Sequence, residues 1–185
     1  MKKLLCYFFP GVIALLLTVN VRGQGLNPQA QLKLDQIVSQ AREWVKATVL
    51  VAAVENQNRQ MPAAYASMTQ EKWESLPDAD PFVRAFTTNP AAEFLKQKKT
   101  PTITEAFLSD ASGVKVAFLA KTTSWSHKGK PKHDVPMSGL TWQGKIEVDR
   151  STGGKQLQVS VPVLVDGKPV GSLVLGVSTS ALVGE

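Results

Sequence analysis

Two pairs of alternating runs in the C-terminal half limit this chain to folds built round an antiparallel sheet. Ile103–Asp110 and Val114–Thr122 form one pair, Lys155–Val165 and Lys168–Ser178 the other. In the second run Val114, Val116, Phe118 and Ala120 alternate with Lys115, Ala117, Leu119 and Lys121. In the third, Leu157, Val159, Val161 and Val163 alternate with Gln158, Ser160, Pro162 and Leu164. Successive side chains of a strand point to opposite faces, so alternation with β-branched enrichment predicts strands. The joints are Asp110-Ala111-Ser112-Gly113 and Asp166-Gly167. Asp bonds the backbone ahead of it and Gly takes positive φ freely, so both read as turns. Joints this short make the neighbouring strands antiparallel.

Helix signals precede the sheet, which makes the class α+β. Asn27-Pro28 is a cap residue followed by proline, and Leu34, Ile37, Val38, Ala41, Val45, Thr48 and Ala52 then recur at helical spacing. The spacing predicts one long helix to about Gln60, where Met61-Pro62 stops it. Such a helix spans about 45 Å. Ala47–Val54 is apolar on nearly every side, so this end is expected to be buried or to pack against a partner, as in a homodimer formed through the first helix. Ala63–Leu76 predicts a second helix, capped by Ser67 or Thr69, with Trp73 and Leu76 facing inward. Asp80-Pro81 and Asn89-Pro90 repeat the cap-proline signature for Phe82–Thr87 and Ala91–Lys99. No internal period appears, so the expectation is one domain over 24–185, with helices at 27–100 and the sheet at 102–179.

The chain opens on Met1-Lys2-Lys3, an apolar run from Leu4 to Val19, and Val21-Arg22-Gly23. A basic start, a short apolar stretch and a small-residue exit predict a signal peptide over 1–23. The alternative is an uncleaved N-terminal anchor; either way the remainder is expected in the periplasm or outside the cell. The only cysteine, Cys6, falls in this leader, which excludes disulfides, thiol nucleophiles and cysteine-based metal or haem sites from the rest. Loss of Lys2, Lys3 and Arg22 lowers the formal charge from +6 to +3, too little and too dispersed to argue for nucleic acid.

A polar insert from Lys121 to Gly154 separates the two strand pairs. It holds Trp125 and Trp142, both histidines (His127 and His133), and Lys121, Lys128, Lys130, Lys132 and Lys145. Inserts of this length are usually functional or disordered, and two tryptophans argue against disorder. Thr141–Asp149 predicts a further strand with Trp142, Gly144, Ile146 and Val148 on one face. The insert is expected to fold back over the sheet and close a cavity with the tryptophans as walls, although core packing suits them equally. Its lysines and His127 would favour an anion such as a carboxylate, whereas Lys128, Lys130 and Lys132 also read as a solvated turn. His127 and His133-Asp134 match no metal-ligand spacing and read as ordinary surface histidines. Neither a nucleophile elbow nor a phosphate-binding glycine loop is present, so no catalytic residue, metal or cofactor is expected.

The sheet half resembles the Cache (PDC-type, PAS-like) extracytoplasmic sensor domain. The residues that carry this are Asp110-x-x-Gly113, Lys121-Thr122, Asp149-x-Ser151-x-x-Gly154, Val161-Pro162-Val163, Asp166-Gly167, and Gly171 leading into Leu173-Val174-Leu175-Gly176-Val177. They span about the last eighty residues, and it is their order that is specific. The resemblance implies a five-stranded antiparallel sheet with a ligand pocket on one face under the insert. It also implies recognition of small metabolites and coupling to a receptor, without catalysis. Carried onto this chain, it gives Lys121, Thr123, Trp125, Trp142 and Asp149 as ligand-binding candidates, to which the charge argument adds His127. Many members carry an aspartate after the second strand, where this chain has Thr123-Ser124-Trp125. The chain ends seven residues past Ser178, like the stand-alone exported members, so action through a partner such as a membrane receptor is expected. The competing expectation is a structural or interaction protein that docks through its N-terminal helix and takes no ligand.

Overall fold

In the computed structural model, residues 25–148 and 154–183 are described. The expected leader, Cys6 and Asp149 lie outside them. Six strands form one sheet in the order β2-β1-β6-β5-β3, with β4 also paired to β5: β1 Ile103–Asp110, β2 Lys115–Phe118, β3 Trp142–Gln143, β4 Glu147–Val148, β5 Lys155–Val165 and β6 Lys168–Ser178. Every pairing is antiparallel. The α+β class and its antiparallel sheet are as the alternation requires.

Both predicted turns form, the first with the Asp and Gly roles expected and the second through positive φ. Asp110 Oδ1 accepts from the Ser112 and Val114 backbone N–H groups at 2.9 and 3.0 Å, and Gly113 takes φ +77°. Asp166 and Gly167 stand at φ +49° and +74°, the consecutive left-handed pair that closes a two-residue hairpin.

The long first helix divides into α1 (Pro28–Trp44) and α2 (Thr48–Arg59). Lys46 and Ala47 donate to carbonyls three residues back, at 3.2 and 2.9 Å, and Ala47 is extended at ψ 128°. That turn tightens α1 to an end and re-aims α2 so that Leu50 and Val54 reach the sheet. Ala63–Leu76 likewise divides into α3 (Ala63–Ala66) and α4 (Gln70–Ser75), because Thr69 caps a new helix by accepting from Lys72 N–H. The Asp80 and Asn89 caps start α5 (Pro81–Thr88) and α6 (Pro90–Lys96) as read. The insert contains an unforeseen helix, α7 (Pro131–Met137), and a short α8 (Thr179–Val183) ends the described chain.

The sheet is covered on both faces. Ala106, Leu108, Val159, Val161, Leu173 and Leu175 pack with Leu34, Ala41, Leu50 and Val54 of α1 and α2. On the other face Phe107, Phe118 and Val174 join Trp73, Val83, Phe86 and Trp125 in a second, aromatic cluster. Beside that cluster α7 lies against β5 and β6.

Candidate functional site

The face under α7 is polar where a plain core would be apolar. Strand register puts Ser109, Ser172 and Pro162 side by side across β1, β6 and β5, and Phe107, Val174 and Ser160 in the next row. Lys115 joins this face through a bulge. Phe107 pairs with Phe118 and Leu108 with Ala117, but Ser109 pairs with Lys115, so Val116 is the extra residue. A bulge shifts the alternation by one and re-aims the side chain beyond it. Lys115 therefore shares the face of Phe107 and Phe118, not that of Ala117.

Lys115 is wholly buried, and its Nζ lies 4.7 Å from the Phe107 ring centroid. His127 stacks on the same ring at 4.7 Å and 18°, and its Nδ1 meets Lys115 Nζ. The histidine is placed by backbone: His127 N–H donates to Gly113 O at 2.8 Å, and Ser126 bridges Val114. Pro131 at the first position of α7 sets the next group. Lys132 Nζ stands 5.8 Å from the Phe107 centroid and donates to Gln158 Oε1 at 2.7 Å, while Gln158 donates to Glu105 Oε2 at 2.6 Å. Lys130 Nζ donates to Ser124 Oγ at 2.5 Å, and His133 Nδ1 is 2.8 Å from Ser172 Oγ. Ser109 and Ser160 are buried at 0% and 1% exposure, and neither hydroxyl has a hydrogen-bond partner among the described residues.

The electrostatics follow from burial beside like charge. Loss of water holds the Lys115 amine well below the usual lysine range, and Lys132 and Lys130 push it further the same way. Burial, then Lys115, Lys132 and Lys130, push His127 down to about 2. Burial also lowers Lys132 and His133. The two histidines are 3% and 2% exposed, so the surface reading is corrected: the bulge, the Gly113 turn and α7 fold both inward. The solvated-turn reading is likewise corrected at Lys132 and Lys130, whose amines are tied to Gln158 and Ser124, whereas Lys128 is exposed.

Most of the other candidate residues stand elsewhere. Trp125 is 5% exposed and sits in the aromatic cluster, with ring centroids 5.7 Å from Tyr65 and 5.2 Å from Trp73. Lys121 lies over the Trp73 ring and donates to Leu76 O at 2.5 Å. Thr123 is exposed and offers its carbonyl to Gln70. Trp142, half-buried on β3, pairs with Ser160 at the edge of the polar face, and the expected strand breaks there, because β3 and β4 are separate two-residue pieces. His127 alone of the candidates enters the cluster itself. Lys132, one of the insert lysines read as favouring an anion, joins it; Lys115, His133, Ser109, Ser160 and Ser172 were not among the candidates. For the serines the signal was a hydroxyl within each of three apolar strands: Ser109 and Ser172 pair directly, and Ser160 stands one row on, opposite Val174. Among the described residues no group of three His, Cys, Asp or Glu could hold a metal, and no helix is long and apolar enough to cross a membrane.

No protein-family model matches the chain, and no curated protein sequence matches it. Among solved structures, the chain is similar to the sensor domain of the Vibrio cholerae histidine kinase DctB, at 16% identity and TM-score 0.42, covering 83% of this chain and 59% of that one. It is similar to the sensory domain of the Campylobacter jejuni chemoreceptor Tlp3 with isoleucine bound, at 15% and 0.41, covering 85% and 66%. It is also similar to the ligand-binding domain of the Pseudomonas aeruginosa amino acid chemoreceptor PctC in complex with GABA, at 13% and 0.40, covering 81% and 63%. The chain spans less than two-thirds of each of those chains.

Proposed function

We propose that this chain is an extracytoplasmic sensor module of the Cache kind that binds a small anion, a carboxylate first of all, on the sheet face beneath α7. One observation carries the reading: Lys115, Lys132 and His127 converge over Phe107 beside buried, unpartnered serine hydroxyls. Buried amines stripped of water and hydroxyls without partners are costly, and an oxyanion supplies a counter-charge for the one and acceptors for the other. The reading is not enzymatic; the bound state would be passed to a partner, such as a membrane receptor. The test is a thermal-shift series on the full chain with acetate, inorganic phosphate, isoleucine and GABA. A ligand that binds only the folded state adds about 2.7 kcal/mol at a hundredfold excess over its dissociation constant. A melting temperature that none of the four moves sinks the reading.

A second reading has its own observation. A groove of about 850 Å³ runs along α2, lined by Val49, Ala52, Ala53, Tyr65, Pro90 and Val116 among others. This favours a chain that docks through its N-terminal helices, as a homodimer or on another protein. Mass measured across a dilution series separates the two: Ala52→Glu abolishes self-association under this reading and leaves anion binding intact under the first.

A further inference from the structure

We propose that the cluster takes up its anion together with a proton, so that the site binds the elements of an acid rather than an anion alone. This rests on the anion reading of the same site. Among the described residues, the one hydrogen-bond partner of Lys115 Nζ is Nδ1 of His127. An ammonium could only donate here, to a lone pair on Nδ1, whereas a neutral amine can donate to that lone pair or accept from an Nδ1–H.

The groups facing Lys115 are known from each element around it. From the loop and α7 come His127, Lys130, Lys132 and His133. From β1 come Glu105 and Asp110, and both carboxylates are engaged elsewhere. Asp110 accepts from Ser112, Val114 and Gln57, and Glu105 from Gln158. The ion pairs among the described residues are Lys46–Glu43 and Lys96–Glu93, both remote from this face. Glu105 and Asp110 still favour the ammonium, but loss of water, with Lys132 and Lys130 acting the same way, outweighs them and favours the neutral form. The empty site therefore holds Lys115 as a neutral amine.

An arriving carboxylate changes that balance. It sets a negative charge and further acceptor lone pairs against the amine, and the ammonium becomes the favoured form. The anion, one proton and the neutral amine give a carboxylate paired with an ammonium: one N–H bond forms on Lys115 Nζ, and the bond that breaks is that of the water- or buffer-borne acid that gives up the proton. His127 remains neutral, and its Nδ1 accepts from the ammonium. By linkage, anion affinity falls as pH rises, by up to tenfold per pH unit for one proton, between the lysine's pKa in the empty site and its higher pKa in the complex.

The experiment is calorimetry of the full chain titrated with acetate, and separately with inorganic phosphate, at fixed pH in buffers of small and large ionisation enthalpy. The slope of observed heat against buffer enthalpy counts the protons taken up. The expected result is an uptake approaching one proton per acetate, lost in Lys115→Met together with at least tenfold in affinity. Methionine fills a similar volume without burying an amine; Lys115→Gln serves as the second variant, and the wild-type count needs neither. Acetate binding with no proton uptake overturns the inference and leaves the anion reading standing. Uptake that persists undiminished in both variants assigns the proton to another group and also overturns it. Binding of neither anion, from about pH 6 to about pH 9, removes the anion reading and the inference together.

Discussion

At the scale of single residues, the buried bases of the sheet face give stability a definite pH dependence. Lys115 has a folded pKa below its unfolded value of 10.5, so within that interval the unfolded chain binds the extra proton. Stability therefore rises with pH up to about the unfolded lysine value, with a slope approaching one proton released per molecule folded. Urea midpoints of the wild type should climb across the alkaline range, while those of Lys115→Met stay flatter and lie higher near neutrality. His127, pushed down to about 2 from 6.5, acts in the same direction in a lower window: its neutral form supports the fold above 6.5, and that support is lost as pH falls below it. His127→Phe, which can keep the stack on Phe107, should lessen the acid-side loss. The serines make the complementary case. Ser109→Ala and Ser160→Ala remove hydroxyls that have no protein partner, so stability should hold or rise by about 1 kcal/mol, while acetate binding weakens severalfold. A large loss of stability in either variant would mean that its hydroxyl is satisfied within the fold.

At the scale of elements, short local contacts fix what the site can be. Gly113 has φ +77°, and a Cβ there would run into the Lys128 backbone nitrogen. Gly113→Ala should therefore displace the loop that holds His127 and reduce acetate affinity more than it reduces stability, as calorimetry and urea unfolding together would reveal. Asn89 caps α6 through Ala92 N–H at 2.9 Å and also donates to Val116 O at 2.9 Å, at the bulge itself. Asn89→Ala should cost about 2 kcal/mol, against about 1 kcal/mol for the plain cap Asn27→Ala. These caps and turns were legible in the sequence because their chemistry is local: Asn-Pro, Asp-Pro and Asp-Gly act within a few residues. The strand pairs were legible for the same reason. The break at Ala47 was not, since nothing in an apolar helical stretch marks where tertiary packing will turn it. Nor was the role of Lys115, because strict alternation assigned it to the face of Ala117 until the bulge at Val116 reversed it. The two tryptophans drew attention to the insert, which does supply His127, Lys130, Lys132 and His133, yet Trp125 serves the aromatic core, and Lys115 and the strand serines that complete the polar face lie outside the insert.

At the scale of the whole molecule, the sheet divides the work between its faces. One face carries the aliphatic core with α1 and α2; the other carries the aromatic cluster and, continuous with it through Phe107, the polar site. Trp73 ties that second face together. Its indole N–H donates to Thr122 O at 2.7 Å, and its ring lies 5.2 Å from Trp125 and 6.0 Å from Phe118. Thr122 opens the segment that runs to His127, so loss of Trp73 loosens the chain that carries the site's imidazole. Leu34, equally buried, belongs to the aliphatic core on the far side. Trp73→Ala and Leu34→Ala should each destabilise, by about 3–5 and about 2–5 kcal/mol. They should part company in binding. Measured on the folded fraction, where mass action no longer mixes folding with affinity, Leu34→Ala should bind acetate as the wild type does, and Trp73→Ala should bind it at least tenfold more weakly. Equal losses in the two variants would mean that the sheet transmits strain from one face to the other, and that the site belongs to the whole core rather than to the face on which its side chains lie.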